Sequence, residues 1–252
     1  TQSGTLTLVG VSGLSFAAGD GTSDSTMTFS GTVSAINTAI ATIEFTSASN
    51  DNTNAVVTIV SNDGTATDTD TIAVTINAVN DPPTLSATSS NPTHTENVGA
   101  VSLFTNSAVG SGGAGGDAES DEIDELTMTI TNVQDTTENI VFDGSTIPIS
   151  TAGTGTTSGD SIPWAVTLDG TTATLAFDGA AGISWTAAEV VADLDAATYI
   201  NTDEGPTVAA RVITITHMAD EGSSSSPNDN SADSGLAQAT TITIAGAQDL
   251  PT

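Results

Sequence analysis

One stretch of sequence occurs twice. Ile76-Asn77-Ala78-Val79-Asn80-Asp81-Pro82-Pro83-Thr84 follows the alternating run Thr71-Ile72-Ala73-Val74-Thr75-Ile76. Ile244-Ala245-Gly246-Ala247-Gln248-Asp249-Leu250-Pro251-Thr252 follows Thr240-Thr241-Ile242-Thr243-Ile244. A strand-like run that ends in an acidic, proline-stiffened linker and then recurs is how tandem β-domains are written. The correspondence extends backwards from each linker. Thr26 to Phe29 matches Ala173 to Phe177, Val33 to Ile40 matches Thr186 to Leu194, and Val56 to Gly64 matches Val212 to Gly222. The order of elements is the same, so the chain reads as two copies of one module, residues 1–82 and 83–252. The first copy has nothing like the opening stretch of the second, Leu85 to Asn132, and begins at Thr1 in mid-strand. The expectation is that residues before Thr1, or strands from a neighbouring chain, complete it.

Charge narrows the function classes. There are 31 acidic residues against one arginine, Arg211, and no lysine, for a formal charge of −30. Phosphate-directed nucleic-acid binding needs clustered cations and is excluded. Adhesion to anionic headgroups fails for the same reason. So large a negative charge repels itself and calls for counter-ions. Without cysteine, no disulfide, thiolate metal site or cysteine nucleophile is possible. No apolar run approaches the ~20 residues of a membrane helix, so membrane insertion by a helix is not expected.

The periodic segments have period two and are rich in Thr, Val and Ile: Leu6 to Val9, Val56 to Val60, Ile72 to Ile76, Leu126 to Thr131, Ala165 to Leu168, Ala173 to Phe177, Val212 to Thr216 and Thr241 to Ile244. Turn residues separate them. The pattern predicts an all-β fold of short antiparallel strands in sandwiches. Val33, Ile36, Ile40 and Ile43 fall at helical spacing. Thr186-Ala187-Ala188-Glu189 is a capping box ahead of Val190, Val191 and Leu194. Each module therefore carries one short crossover helix, with Ile36 and Ile40, or Val190 and Leu194, packed on the sandwich. Gly110 to Gly116, Ser150 to Asp160 and Gly222 to Gly235 read as long polar loops.

Val79-Asn80-Asp81-Pro82-Pro83, Thr95-Glu96-Asn97, Asp117-Ala118-Glu119 and Ser61-Asn62-Asp63-Gly64, in this order of strands, resemble the cadherin-like tandem repeats of large bacterial surface proteins and adhesins. The resemblance covers nearly the whole chain. It implies two tandem Greek-key, cadherin/Ig-like sandwiches, an extracellular place on the bacterial cell surface, and Ca²⁺ between successive domains. Carried over position by position, it implies ligands Asn80 and Asp81 from the linker, Asp117 and Glu119 from the next domain, Glu96 on a first strand, Asp51 in the first copy, Asp203 and Glu204 in the second, and Asp249 at the second linker. The linker keeps the family's Asn-Asp core but lacks its first Asp and final Asn, which points to fewer ions per junction. Calcium takes six to eight oxygens from carboxylates, carbonyls and water, so these residue types suit it, with Asp121 nearby.

Other chemistry reads weakly. Gly112 to Asp117 matches the start of a Ca²⁺-binding nonapeptide, but Glu119 stands where an apolar residue belongs and a single copy cannot stack. Asp63 to Asp70 resembles an EF-hand loop but lacks its central glycine and bidentate glutamate, so a hairpin turn is expected. His94 and His217 have no nucleophile elbow and no metal spacing around them. Arg211 is expected to pair with Asp203 or Glu204. The function expected is that of a non-enzymatic structural module of a stalk, adhesin shaft or filament. Its partners would be neighbouring repeats or copies of itself. The alternative is a glycan- or protein-binding module that uses the second copy's loops, with Trp185 as a stacking platform.

Overall fold

The computed structural model describes residues 4–49, 51–77, 79–110, 122–179, 183, 185–221, 231–232, 236 and 238–246. Strands dominate, and two short helices occur among the described residues. The protein is all-β with sandwich character. The chain divides into two compact units, with the division falling between residues 77 and 79.

The first unit holds β1 (Gly4–Leu8), β2 (Leu14–Ala18), β3 (Thr28–Gly31), α1 (Val33–Ile40), β4 (Ile43–Ser47), β5 (Ala55–Asn62) and β6 (Thr67–Val74). They form three separate antiparallel pairs: β1 with β4, β2 with β3, and β5 with β6. The β5–β6 turn is set by its side chains. Asn62 accepts from the Gly64 amide, Asp63 accepts from the Thr65 and Ala66 amides, and Gly64 takes φ +91°. Those amides hold the Asp63 carboxyl below its usual range. The EF-hand-like stretch is thus a hairpin. The unit buries little: Leu8, Ala39, Ala55 and Val57 are its buried apolar residues among those described. Two-stranded sheets are marginal unless something covers them.

The second unit holds β7 (Thr84–Ser89), β8 (Thr93–Thr95), β9 (Val101–Ser102), β10 (Phe104–Gly110), β11 (Ile123–Ile130), β12 (Glu138–Phe142), β13 (Ser145–Pro148), β14 (Gly153–Thr156), β15 (Pro163–Asp169), β16 (Thr172–Asp178), α2 (Ala187–Ala196), β17 (Thr198–Asn201), β18 (Arg211–Asp220), β19 (Ser231–Ala232) and β20 (Gln238–Ala245). One sheet runs β14-β15-β16-β11-β18-β20-β8 with β19 on β18, and a second runs β13-β12-β17-β9. Strict alternation on β11, β16 and β18 points Leu126, Met128, Ile130, Leu175, Phe177, Ile213 and Ile215 inward, all at most 1% exposed. Ile140, Phe142 and Tyr199 enter the same core from the other sheet, with Val190 and Leu194 from α2. Phe142 stacks on Phe177 at 4.3 Å, and Trp185 lies edge-on to Phe142 at 6.2 Å.

Two expectations need correction. Ser150 to Asp160 is not a plain loop, because it contains β14, paired to β15. Its Gly-Thr alternation carries no apolar signal for a strand. Ile36 and Ile40 are half-buried, with only Ala39 of α1 enclosed. The helix forms as its spacing predicts, capped by Thr32, but the first unit has too little apolar surface to cover it.

Candidate metal centre

Among the described residues, one group of three carboxylates converges in the second unit, on elements the sequence separates. Phe142-Asp143-Gly144-Ser145 is the tight β12–β13 turn. Asp143 and Gly144 both take positive φ, +41° and +68°, as a two-residue hairpin of this kind requires. The turn is tied to the loop after β14. Asp143 accepts from the Asp160 amide at 2.7 Å, its carbonyl accepts from Gly159 at 3.2 Å, and the Ser158 amide donates to Ser145 Oγ at 2.8 Å. A Cβ on Gly159 would collide with Asp143 Oδ1, so a side chain there would force the Asp143 carboxylate to move.

Asp193 reaches the same place from α2. The helix starts where the sequence says. Thr186 Oγ1 accepts from the Glu189 amide, and the Glu189 carboxylate accepts from the Thr186 amide at 2.8 Å. Asp193 is 8% exposed and accepts from the buried Trp185 indole N–H at 3.0 Å. One ligand oxygen each from Asp143, Asp160 and Asp193 lies within 4.8 Å of the others. Burial pushes the Asp193 carboxyl up to about 6, against the pull of the indole N–H and with help from Asp143, Asp160 and Glu189. Burial and the same neighbours raise Asp160. Three carboxylates in one place with no cationic side chain among them suit a hard cation. Their donors are all oxygen, the kind Ca²⁺ takes, and one Asp193 oxygen is left over from the indole bond.

The chain's one arginine is used elsewhere. Arg211, fully buried, donates from Nε and Nη2 to Glu138 at 2.9 and 2.7 Å, and from Nη2 to Asp135 at 2.9 Å. Nη1 donates to the carbonyls of Thr207, at 2.9 Å, and of Ala209. All five guanidinium N–H groups are used. Tyr199 donates to Glu138 at 2.8 Å, and Asn201 and Thr207 donate to Asp135. Arg211 therefore pairs with Asp135 and Glu138, not with Asp203 or Glu204. His94 packs edge-on to Tyr199 at 5.5 Å and accepts from the Asn201 amide through Nε2, while its buried Nδ1 has no hydrogen-bond partner. Burial lowers its pKa, against the pull of Glu138. His217 pairs with Glu125 at 3.0 Å.

The residues expected as ligands are placed as follows. Asn80 is buried and donates to Asp220 Oδ1 at 2.9 Å, and Asp81 beside it is half-buried. Glu96 is buried at 3% exposure, with its amide on the Ala245 carbonyl. Asp51 and Asp203 cap turns, accepting from the Thr53 and Gly205 amides, and Glu204 is exposed. Asp117, Glu119, Asp121 and Asp249 lie outside the described residues, as does the stretch Gly112 to Asp117. Among the described residues, Asp143, Asp160 and Asp193 are the acidic group that converges. Sequence reasoning missed them because three elements far apart in the chain supply one residue each. The Asp143-Gly144 hairpin signal was the one local clue. Trp185, fully enclosed, offers no face to a sugar. No family model, curated protein or solved structure matches this chain.

Proposed function

We propose that the chain is a non-enzymatic structural module of a long extracellular bacterial surface protein: tandem cadherin-like, Greek-key sandwiches that use Ca²⁺ for rigidity. The repeated strand-and-linker pattern and the all-β build support the module. The observation that carries the calcium part is the convergence of Asp143, Asp160 and Asp193, with Asp193 buried beside two like charges. A cation there ties the β12–β13 turn, the loop after β14 and α2 to one another. Neighbouring repeats or copies of the protein are the partners such a shaft takes.

Melting curves with EDTA and with ~10 mM Ca²⁺ test this. Stabilisation follows RT ln(1 + [L]/Kd), which at an extracellular-type Kd of ~10⁻⁴–10⁻³ M is about 1–3 kcal/mol. Asp143→Asn with Asp160→Asn abolishes most of the rise. The proton competes with the ion. Asp193 titrates higher folded than unfolded, so without Ca²⁺ its contribution is full below the unfolded pKa and is lost as pH rises through about 6. The Ca²⁺-linked rise therefore shrinks as pH falls below about 6. Curves that coincide in EDTA and Ca²⁺ at pH 7.5 sink the calcium reading.

A further inference from the structure

The second unit is entered and left by strands that lie side by side. The chain arrives from the first unit through residues 79–83 and β7, turns at Asn91 (φ +44°) and continues as β8; it leaves through β20. β8 pairs with β20 in parallel, Thr93 opposite Thr243 and Thr95 opposite Ala245. The contact is longer than β8 itself. Ser89 Oγ donates to the Ala239 carbonyl, the Asn91 amide donates to Thr240 Oγ1 at 3.1 Å, and the Thr241 amide donates to Asn91 Oδ1 at 2.9 Å. The Thr243 amide donates to the Pro92 carbonyl, and the Glu96 amide to the Ala245 carbonyl, both at 3.0 Å. Residues 89–96 therefore run alongside residues 239–245 in the same direction, tied at both ends and between.

Direction decides what tension does to this strip. A pull through both ends of the unit draws residues 89–96 back towards Ser89 and β20 onward past Ala245, so the two slide against each other. The crossing bonds then share the force and must yield together. Pulled apart from one end, the same bonds would open one after another, each under the full force. A hydrogen bond contributes a net of only about 1 kcal/mol, so resistance comes from loading several at once. The strip is also pinned to the second sheet. His94 is fully buried, accepts from the Asn201 amide and packs edge-on to Tyr199, both on β17. Sliding β8 along β20 must drag that imidazole across the core. Ile242 and Ile244 anchor β20 in the same core, and β18 holds its other edge.

We propose that residues 89–96 and 239–245 form a shear clamp, the part of the second unit that resists tension passing through it from one end to the other. The proposal rests on the shaft reading for its use, because a module pulled along its linkers is the kind that needs such a clamp. Its physics lies in the direction of the paired strands and involves none of Asp143, Asp160 and Asp193.

Force spectroscopy on the full chain tests this, with thiol handles that are unambiguous because the chain has no cysteine. Val79→Cys with Gly246→Cys pulls along the strip. Val98→Cys with Gly246→Cys pulls the same two segments apart from the end where Glu96 meets Ala245. All three sites are exposed. Both axes are read at constant force in EDTA. The first pair is expected to open at least about tenfold more slowly than the second, since forced unfolding reports the rate of crossing the barrier. Ser89→Ala with Asn91→Gly removes two side-chain bonds at the opposite end of the strip, and glycine keeps the positive φ at 91. That variant speeds opening of the first pair about tenfold or more and leaves the first event of the second pair unchanged, because that event starts at Glu96. Equal rates on the two axes overturn the clamp. So does an unchanged rate along the strip in the Ser89 and Asn91 variant, which would place the resistance in the β7–β10 ladder instead. Melting curves that coincide in EDTA and Ca²⁺ would sink the calcium reading and leave these rates as they are.

Discussion

At the scale of single residues, Arg211 decides most. A chain with one cationic side chain among 31 acids places it where water cannot reach and satisfies each of its donors. Burying an ion pair is close to neutral against a well-packed apolar core, but removing one partner leaves an uncompensated charge and costs about 3–5 kcal/mol. Arg211→Met therefore destabilises the second unit by about that amount, since Glu138 and Asp135 keep their buried carboxylates. Pairing Arg211→Met with Glu138→Gln recovers part of the loss, because one of the stranded charges goes with it. Urea titrations followed by tryptophan fluorescence check this, since Trp164 and Trp185 both lie in the second unit. A single variant that melts like the parent contradicts the network. The sequence made Arg211 conspicuous but pointed to the wrong partners. Asp203 and Glu204 are near in sequence, whereas Asp135 and Glu138 approach only once β12, β17 and β18 have assembled.

At the scale of elements, alternation was the reliable guide. The runs around Val56, Ala173 and Val212 are strands, because branched side chains at every second position fit a pleated, half-covered surface. β14, Gly-Thr-Gly-Thr, is a strand by pairing alone and left no trace in the pattern. Both helices were legible from spacing and capping, but their burial was not, since burial depends on what surrounds a helix. Leu194 of α2 is fully enclosed, and its apparent counterpart, Ile40 of α1, is only half-covered. Leu194→Ala is accordingly expected to cost about 2–5 kcal/mol, within the range for deleting a buried leucine side chain. Ile40→Ala, in a unit without tryptophan, leaves the fluorescence-detected midpoint where it was. A comparable shift in both variants would mean that the two helices support one cooperative core. The carboxylate cluster was the least legible feature, because turn, loop and helix each contribute one residue.

At the scale of the whole molecule, charge governs. The formal charge is −30, and with Arg211 buried no lysine or arginine side chain is left at the surface to offset it. Folding gathers these carboxylates into a smaller volume, so self-repulsion works against the compact state. Simple salt weakens that repulsion by shortening its range, from about 30 Å at 0.01 M to about 3 Å at 1 M. The midpoint of thermal unfolding should therefore climb steadily with NaCl, most steeply at low ionic strength, where distant charges first become screened. The inward-facing ion pairs of Arg211 are shielded from solvent and should contribute little to the opposite trend. Calcium adds a separate, saturable rise at constant ionic strength if Asp143, Asp160 and Asp193 bind it. The two effects come apart in Asp143→Asn with Asp160→Asn, which loses the calcium rise and keeps the NaCl slope, slightly reduced by its two missing charges. A melting temperature that is flat or falling between 0.01 and 1 M NaCl would show that surface repulsion does not limit this fold.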